Sequence, residues 1–376
     1  MIDTEKYGAY LAGRFDFFTG VPDSLLKNLC SYLASNIPGN KNITAVNEGT
    51  AVALASGYYL SSGKPALVYM QNSGIGNAMN PLLSLADPLV FSVPMLMLVG
   101  WRGEPGTKDE PQHAKQGPVT KELFKAAGIR YAVHEDATDA ARKQISEAYG
   151  YMNREEAPYA LIVRKDTFSP YKAKFQDGSY EISGFSREEA IAAILDALSD
   201  SALLVSTTGK ISRELFELRE KRKEGHNRDF LTVGSMGHAS QIAAAASIGS
   251  NDRRIVCLDG DGAVLMHLGG LAAIGVLKAN ILHIVLNNGS HDSVGGQPTI
   301  AREINLCATA LACGYISSER VTNSRDLRNA VSFAEQKKGP IFIEVMVDKG
   351  AREDLRRPNQ TPQENKRNFM REFTTK

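Results

Sequence analysis

The chain has 376 residues, 43% of them hydrophobic and 23% charged, with a formal net charge of +1. This is ordinary globular composition and enough length for two domains. With no lysine–arginine block, no nucleic-acid partner is expected, since one would need a basic face to neutralise phosphates. The most apolar stretch, 88–100, is too short to span a bilayer and contains two prolines, so no membrane partner is expected. The four cysteines, Cys30, Cys257, Cys307 and Cys313, form no CxxC pair, which fits a reducing cytoplasm. The acidic, amphipathic N-terminus does not read as a signal peptide.

In the first half, apolar runs at 43–46, 66–70, 95–99 and 160–163 predict buried strands, and helical patterns cover 24–34, 50–60 and 78–85. A polar, aromatic stretch between Lys165 and Ser186 then reads as a boundary. We expect a first domain over 1–170, a linker over 171–186 and a second domain over 187–376. The second half repeats the style, with strands at 203–206, 230–233, 255–258, 283–286 and 341–347. Helices are predicted at 187–198, 212–221, 240–247, 265–279 and 324–336. Strands without polar alternation, separated by helices, predict two α/β domains with doubly wound parallel sheets. After Asp348 the chain is polar and charged, and composition leaves open a solvated tail or one folded over a site.

The segment from Arg253 to Ser293 is the most informative. It reads as strand, Gly260-Asp261-Gly262, helix, strand, Asn287-Asn288, a complete βαβ unit with both polar clusters at strand C-terminal ends, where ligands of open α/β sheets bind. Two glycines permit a tight turn and close approach of a bulky anion, and the following helix offers free N–H groups. Asp261 supplies a carboxylate oxygen and Asn288 an amide oxygen, a set suited to Mg²⁺ that also binds phosphate and water. Either motif alone is a common turn; their joint placement, 27 positions apart, is more specific.

This arrangement resembles the diphosphate motif of thiamine diphosphate-dependent enzymes. The resemblance implies that Asp261, the side chain of Asn288 and the main-chain carbonyl of Ser290 ligate Mg²⁺. In Gly234-Ser235-Met236-Gly237, Met236 takes the position of the bulky residue that props the bent cofactor. In Val46-Asn47-Glu48-Gly49, Glu48 alone reads as a first-turn residue favoured by the helix dipole. The resemblance makes it the acid that hydrogen-bonds the aminopyrimidine and activates the cofactor, a role that calls for burial and a raised pKa. It also implies a pyrimidine-binding and a diphosphate-binding domain with no middle domain, and a homodimer or higher oligomer with Glu48 and Asp261 drawn from different chains.

Further segments resemble phosphonopyruvate decarboxylases in particular, and more loosely sulfopyruvate decarboxylases. They are Gly20-Val21-Pro22-Asp23-Ser24, Gln71-Asn72-Ser73-Gly74, Lys108-Asp109-Glu110-Pro111-Gln112-His113, Thr207-Thr208-Gly209-Lys210, and the run from Asn288 to Thr299. The implied substrate is a small anionic 2-oxo acid, phosphonopyruvate, giving phosphonoacetaldehyde and CO₂. Lys108, Lys210, Arg213, Ser24 and His291 are candidates for its anionic head group, with backbone N–H groups of Gly295 and Gly296 as further donors. His113 and His291 are candidates for proton transfer, and Asp23 for orientation or relay. Asn72 and Ser73 are either turn residues or cofactor contacts. His238, His267 and His283 fall in helical or strand patterns and read as structural.

Overall fold

The apolar runs become strands because both faces of each are covered, so no face is left for polar side chains. The computed structural model describes residues 1–173, 184–250 and 253–374. Residues 174–183 of the expected linker lie outside the described residues. The chain divides into two compact units, Met1–Gly178 and Ser179–Lys376.

In the first unit the strands are β1 (Phe18–Gly20), β2 (Asn42–Thr44), β3 (Ala66–Gln71), β4 (Met95–Gly100), β5 (Arg130–Val133) and β6 (Tyr159–Val163). They form a parallel sheet in the order β2-β1-β3-β4-β6-β5. One face carries a core around Val68, Met97 and Ile162; the other packs Leu67, Leu98 and Leu161 against Tyr7, Phe15 and Ile145. In the second unit the strands are β7 (Leu203–Ser206), β8 (Asp229–Leu231), β9 (Ile255–Gly260), β10 (Ile281–Asn287), β11 (Ser317–Val321) and β12 (Ile341–Met346). Their order is β11-β12-β10-β9-β7-β8, again parallel. Counted from its own first strand, each unit has the order 2-1-3-4-6-5. The chain reverses direction across each sheet between the first and third strands, where the loops part and leave a crevice.

Several elements differ from expectation. The helix expected at 265–279 is two, Asp261–Met266 and Gly270–Leu277, broken at His267, whose φ of −134° and ψ of 51° are not helical. The first of these starts at Asp261 itself, directly after the strand. The polar tail ends in a helix, Pro362–Thr374, whose Phe369 is buried. Its Asn365 closes the edge of β8, accepting from Leu231 N at 3.0 Å and donating to Asp229 O at 2.8 Å. Among the described residues no helix is long and apolar enough to cross a membrane.

Candidate active site

The functional candidates fall on corresponding loops of the two units. After the first strands come Asp23 and Ser24, and Thr207–Lys210. After the second strands come Glu48, and Gly234–Met236. After the third come Gln71–Ser73, and Asp261–Gly262. After the fourth come Arg102–His113, and Asn288–His291.

In the first unit, Asn47 caps the helix Glu48–Ser62 by accepting from Thr50 N at 2.8 Å, and so presents Glu48 at its first position. Glu48 is only 4% exposed. Burial raises its pKa, and the hydrogen bond from Asn77 Nδ2 to Oε2 (2.8 Å) offsets part of that rise. Its side chain lies across Gly74, where a methyl group would stand 2.2 Å from Oε1. Nothing larger than glycine leaves room for the carboxyl.

Asp23 is fully buried beside Gln71, whose Nε2 donates to Oδ1 at 2.6 Å, while Leu25 N donates to Oδ2 at 2.9 Å. Burial raises this carboxyl above its ordinary range despite those donors. Ser73 Oγ donates to Gln71 Oε1 at 2.7 Å, extending the chain Ser73–Gln71–Asp23 across the crevice between β1 and β3. Asn72 is buried, and both hydrogens of its amide are taken, by Arg102 O at 2.8 Å and Thr120 Oγ1 at 2.9 Å; its Oδ1 accepts from Arg102 N at 3.1 Å. The Asn72 side chain therefore serves the loop that carries Arg102. Ser24 Oγ accepts from Arg102 Nη1 at 2.9 Å. His113 is buried, with Nδ1 at 3.0 Å from Asp109 Oδ1, whereas Lys108 is exposed. Arg102 and Asp109 were not picked out as functional residues in the sequence, though Asp109 stands within one of its informative segments.

In the second unit the turn after β9 rests on a buried hydrogen-bonded chain. Tyr315 Oη meets His283 Nδ1 at 3.0 Å, His283 Nε2 meets Asp259 Oδ2 at 3.3 Å, and Asp259 Oδ1 accepts from Gly260 N at 2.9 Å. The next residue, Asp261, is buried and accepts from the Thr299 hydroxyl. Burial pushes its carboxyl up to about 6, and the nearby charge of Asp292 adds to the rise. No lysine or arginine forms an ion pair with Asp261 among the described residues.

The two asparagines after β10 divide their work. Asn287 Nδ2 donates to buried Glu344 at 2.7 Å and ties β10 to β12. Asn288 Oδ1 accepts from Ser290 N at 3.0 Å, and its Nδ2 donates to Asp292 Oδ2 at 2.7 Å. The same Oδ2 accepts from Arg187 Nη1 at 3.2 Å and Gly350 N at 2.9 Å, and Arg187 is held by Glu214 through bonds of 2.7 and 2.8 Å. No sequence pattern pointed to Arg187 or Glu214, because the contacts span more than 25 positions. The loop is clipped back on itself by His291 N to Gln297 O at 2.8 Å and Thr299 N to Gly289 O at 3.0 Å.

Gly262 lets three loops meet. A methyl group there would lie 3.0 Å from His291 Cε1 and 3.4 Å from Met236 Cε. Ser235 beside Met236 has a φ of 52°, a left-handed backbone in a residue other than glycine. His291 is half-buried and burial pulls its pKa down to about 4, so the ring is neutral near pH 7 and can offer an N–H but no positive charge to an anion. Gly296 N is likewise taken, donating to His291 O at 3.1 Å. Lys210 and Arg213, at the start of the helix Lys210–Lys221, are partly buried and have no carboxylate partner among the described residues. Burial lowers the pKa of Arg213.

The donor set around Asp261 suits a hard divalent cation with a diphosphate. It combines a carboxylate that no lysine or arginine pairs with among the described residues with the Asn288 amide oxygen. Beside it, Ser290 Oγ and both amide atoms of Gln297 are buried without a hydrogen-bond partner among the described residues, a deficit that a bound polar group offsets.

Residues 11–124 match the family model for the thiamine pyrophosphate enzyme N-terminal TPP binding domain, and residues 207–345 match the C-terminal TPP binding domain. A phosphonopyruvate decarboxylase of Streptomyces viridochromogenes is 35% identical over 370 residues, covering 95% of this chain and 91% of that protein. A sulfopyruvate decarboxylase of Methanosarcina acetivorans is 26% identical over 89% of this chain and 88% of its own. In Methanococcus maripaludis, the beta and alpha subunits of sulfopyruvate decarboxylase each match at 32% identity, over 49% and 42% of this chain. The chain belongs to the phosphonopyruvate decarboxylase family of thiamine pyrophosphate enzymes.

Proposed function

We propose that the chain converts phosphonopyruvate to phosphonoacetaldehyde and CO₂ with thiamine diphosphate and Mg²⁺. The observation that carries this reading is the 35% identity to a phosphonopyruvate decarboxylase across nearly the whole chain. Thiamine diphosphate, when bound, supplies the electron sink that a 2-oxo acid needs to lose CO₂. Asp261, Asn288 and Ser290 are the residues that would hold the Mg²⁺. Gly260 and Gly262 allow the diphosphate to approach, and Gly234, Ser235 and Met236 shape the bed for the rings. Glu48 holds a proton at its buried carboxyl and would present it to the aminopyrimidine. Ser73 lines the same crevice, while Asn72 acts by fixing the loop.

Asp23 and His113 hold and move protons near the reacting carbon, and neutral His291 contributes an N–H. Lys210 and Arg213, with Lys108 and Ser24 on their own loops, bind the dianionic head group; the two partly buried cations, which have no carboxylate partner among the described residues, suit that task best. We also propose a homodimer or larger homo-oligomer in the cytoplasm, where the four free cysteines stay reduced.

The test has two parts. Calorimetric titration with thiamine diphosphate and Mg²⁺ should give saturable binding that Asp261→Asn abolishes, and absence of binding by the wild type overturns the cofactor site. Steady-state assays should then give a higher kcat/KM for phosphonopyruvate than for sulfopyruvate. The reverse ranking selects the second reading, a sulfopyruvate decarboxylase, which the Methanosarcina relative favours.

A further inference from the structure

We propose that Asp109, clamped by Arg102, is a positioning residue that fixes the tautomer of His113 and leaves Nε2 as its working nitrogen. The inference rests on the reading above that His113 faces the reacting centre.

The Asp109 carboxylate is a hub. It accepts from Arg102 Nε at 2.9 Å, from Arg102 Nη2, from Gly103 N at 2.7 Å, from Glu110 N at 2.7 Å and from His113 Nδ1 at 3.0 Å. Partial burial works to raise its pKa, but the arginine fork, the imidazole and the Gly103 N–H outweigh it and hold the carboxyl well below the usual range. An ionised carboxylate can only accept. The hydrogen between the two groups therefore belongs to Nδ1 of His113. In the neutral ring Nε2 is then a bare acceptor, and it has no protein partner among the described residues.

The clamp also sets the charge of the ring. A lone carboxylate beside a histidine stabilises the imidazolium. Here Arg102 offsets that carboxylate. Burial lowers the pKa of His113 below its ordinary value; Asp109 works against this, Arg102 reinforces it, and the more distant Asp23 opposes it weakly. These are the charged groups that face the ring. His113 is neutral at pH 7 and enters the reaction as a hydrogen-bond and proton acceptor.

The backbone holds this geometry rigidly. Gly103 has a φ of +68°, and a methyl group there would lie 2.2 Å from the carbonyl oxygen of His113; one on Gly117 would lie 1.5 Å from that of Gly103. Trp101 Nε1 ties the loop down through Gly117 O at 2.9 Å. With the Asn72 amide bracketing the main chain of Arg102, the end of β4 fixes guanidinium, carboxylate and imidazole as one piece.

The test uses the ¹⁵N-labelled holoenzyme with thiamine diphosphate and Mg²⁺. Two-bond ¹H–¹⁵N correlation spectra, with His113 assigned by its loss in His113→Gln, should show the Nδ1–H tautomer in the wild type. An Nε2–H tautomer there overturns the proposal without any variant at Asp109. Asparagine can turn either its oxygen or its amide to Nδ1. Asp109→Asn should therefore mix the tautomers, lower kcat on the order of 100-fold and shift the acidic limb of the kcat/KM profile. Asp109→Glu should restore part of the rate. A folded Asp109→Asn enzyme with the wild-type tautomer and pH profile overturns the proposal. Full activity of His113→Gln instead overturns the placement of His113 at the reacting centre, a failure of the underlying reading that the tautomer signal distinguishes.

Discussion

Replacing Gly74 by alanine moves the key carboxyl without altering it. The backbone at Gly74 has φ −78° and ψ −10°, which alanine adopts readily. The added methyl would stand 2.2, 2.3 and 2.4 Å from Oε1, Cδ and Cγ of Glu48, where ordinary contact begins at 3.4 Å. Glu48 must therefore retreat by about 1 Å, a displacement that costs on the order of 100-fold in rate when it separates a reacting group from its target. Overpacking costs roughly 1–3 kcal/mol, while exchanging glycine for alanine in a helical conformation returns about 1 kcal/mol. We expect Gly74→Ala to melt within a few degrees of the wild type and to bind thiamine diphosphate with Mg²⁺, while kcat for phosphonopyruvate falls about 100-fold. Gly76→Ala is the control, since a methyl there meets nothing within 4 Å. A folded Gly74→Ala enzyme with wild-type kcat would refute the idea that the position of Glu48 governs turnover.

Glu48→Gln should keep cofactor binding by calorimetry and lose most turnover, because an amide cannot share a proton with the aminopyrimidine; an unchanged rate would make Glu48 only the start of a helix. Asp292→Ala removes the acceptor for Asn288 Nδ2, Gly350 N and Arg187 Nη1. It should cost roughly 3 kcal/mol of stability and weaken Mg²⁺-dependent cofactor binding by about 10- to 100-fold, both readable from denaturant titration and calorimetry. His134 is buried between Tyr7 Oη at 2.7 Å and Gln144 Oε1 at 2.6 Å, and burial pulls its pKa down to about 4. The unfolded chain takes up the proton first, so stability is full above about pH 6.5 and is lost as pH falls toward 4, by roughly 2 kcal/mol at pH 5. His134→Gln should flatten this slope in urea titrations at pH 7 and pH 5, and an unaltered slope would place the acid sensitivity elsewhere.

Central strands were legible because their apolar runs are unbroken: β3, β4, β7, β9, β10 and β12 all coincide with predicted runs. The edges were not. β1 has only three residues, and the edge strands β5 and β11, Arg130-Tyr131-Ala132-Val133 and Ser317-Ser318-Glu319-Arg320-Val321, carry polar side chains that reach solvent. The long helix Thr138–Glu155 escaped because its buried stripe, Ala141, Ile145, Ala148 and Met152, is half alanine. At the candidate site, Asp261 and Asn288 stood out as candidates because each lies in a short motif of its own. The groups that hold them in place were not, because Arg187 reaches Asp292 across 105 positions and His283 reaches Asp259 across 24.

The repeated strand order has a consequence for how the enzyme is made. Each unit closes its own sheet over its own core, so neither needs the peptide link to the other to complete its fold. The Methanococcus relative carries alpha and beta subunits that each match less than half of this chain. A two-polypeptide arrangement must match the dosage of its parts through balanced synthesis and bimolecular capture. Joined in one polypeptide, the halves are always produced one to one and held at the high effective concentration of a tether. Catalytic capacity then scales with one translation rate instead of with the scarcer of two.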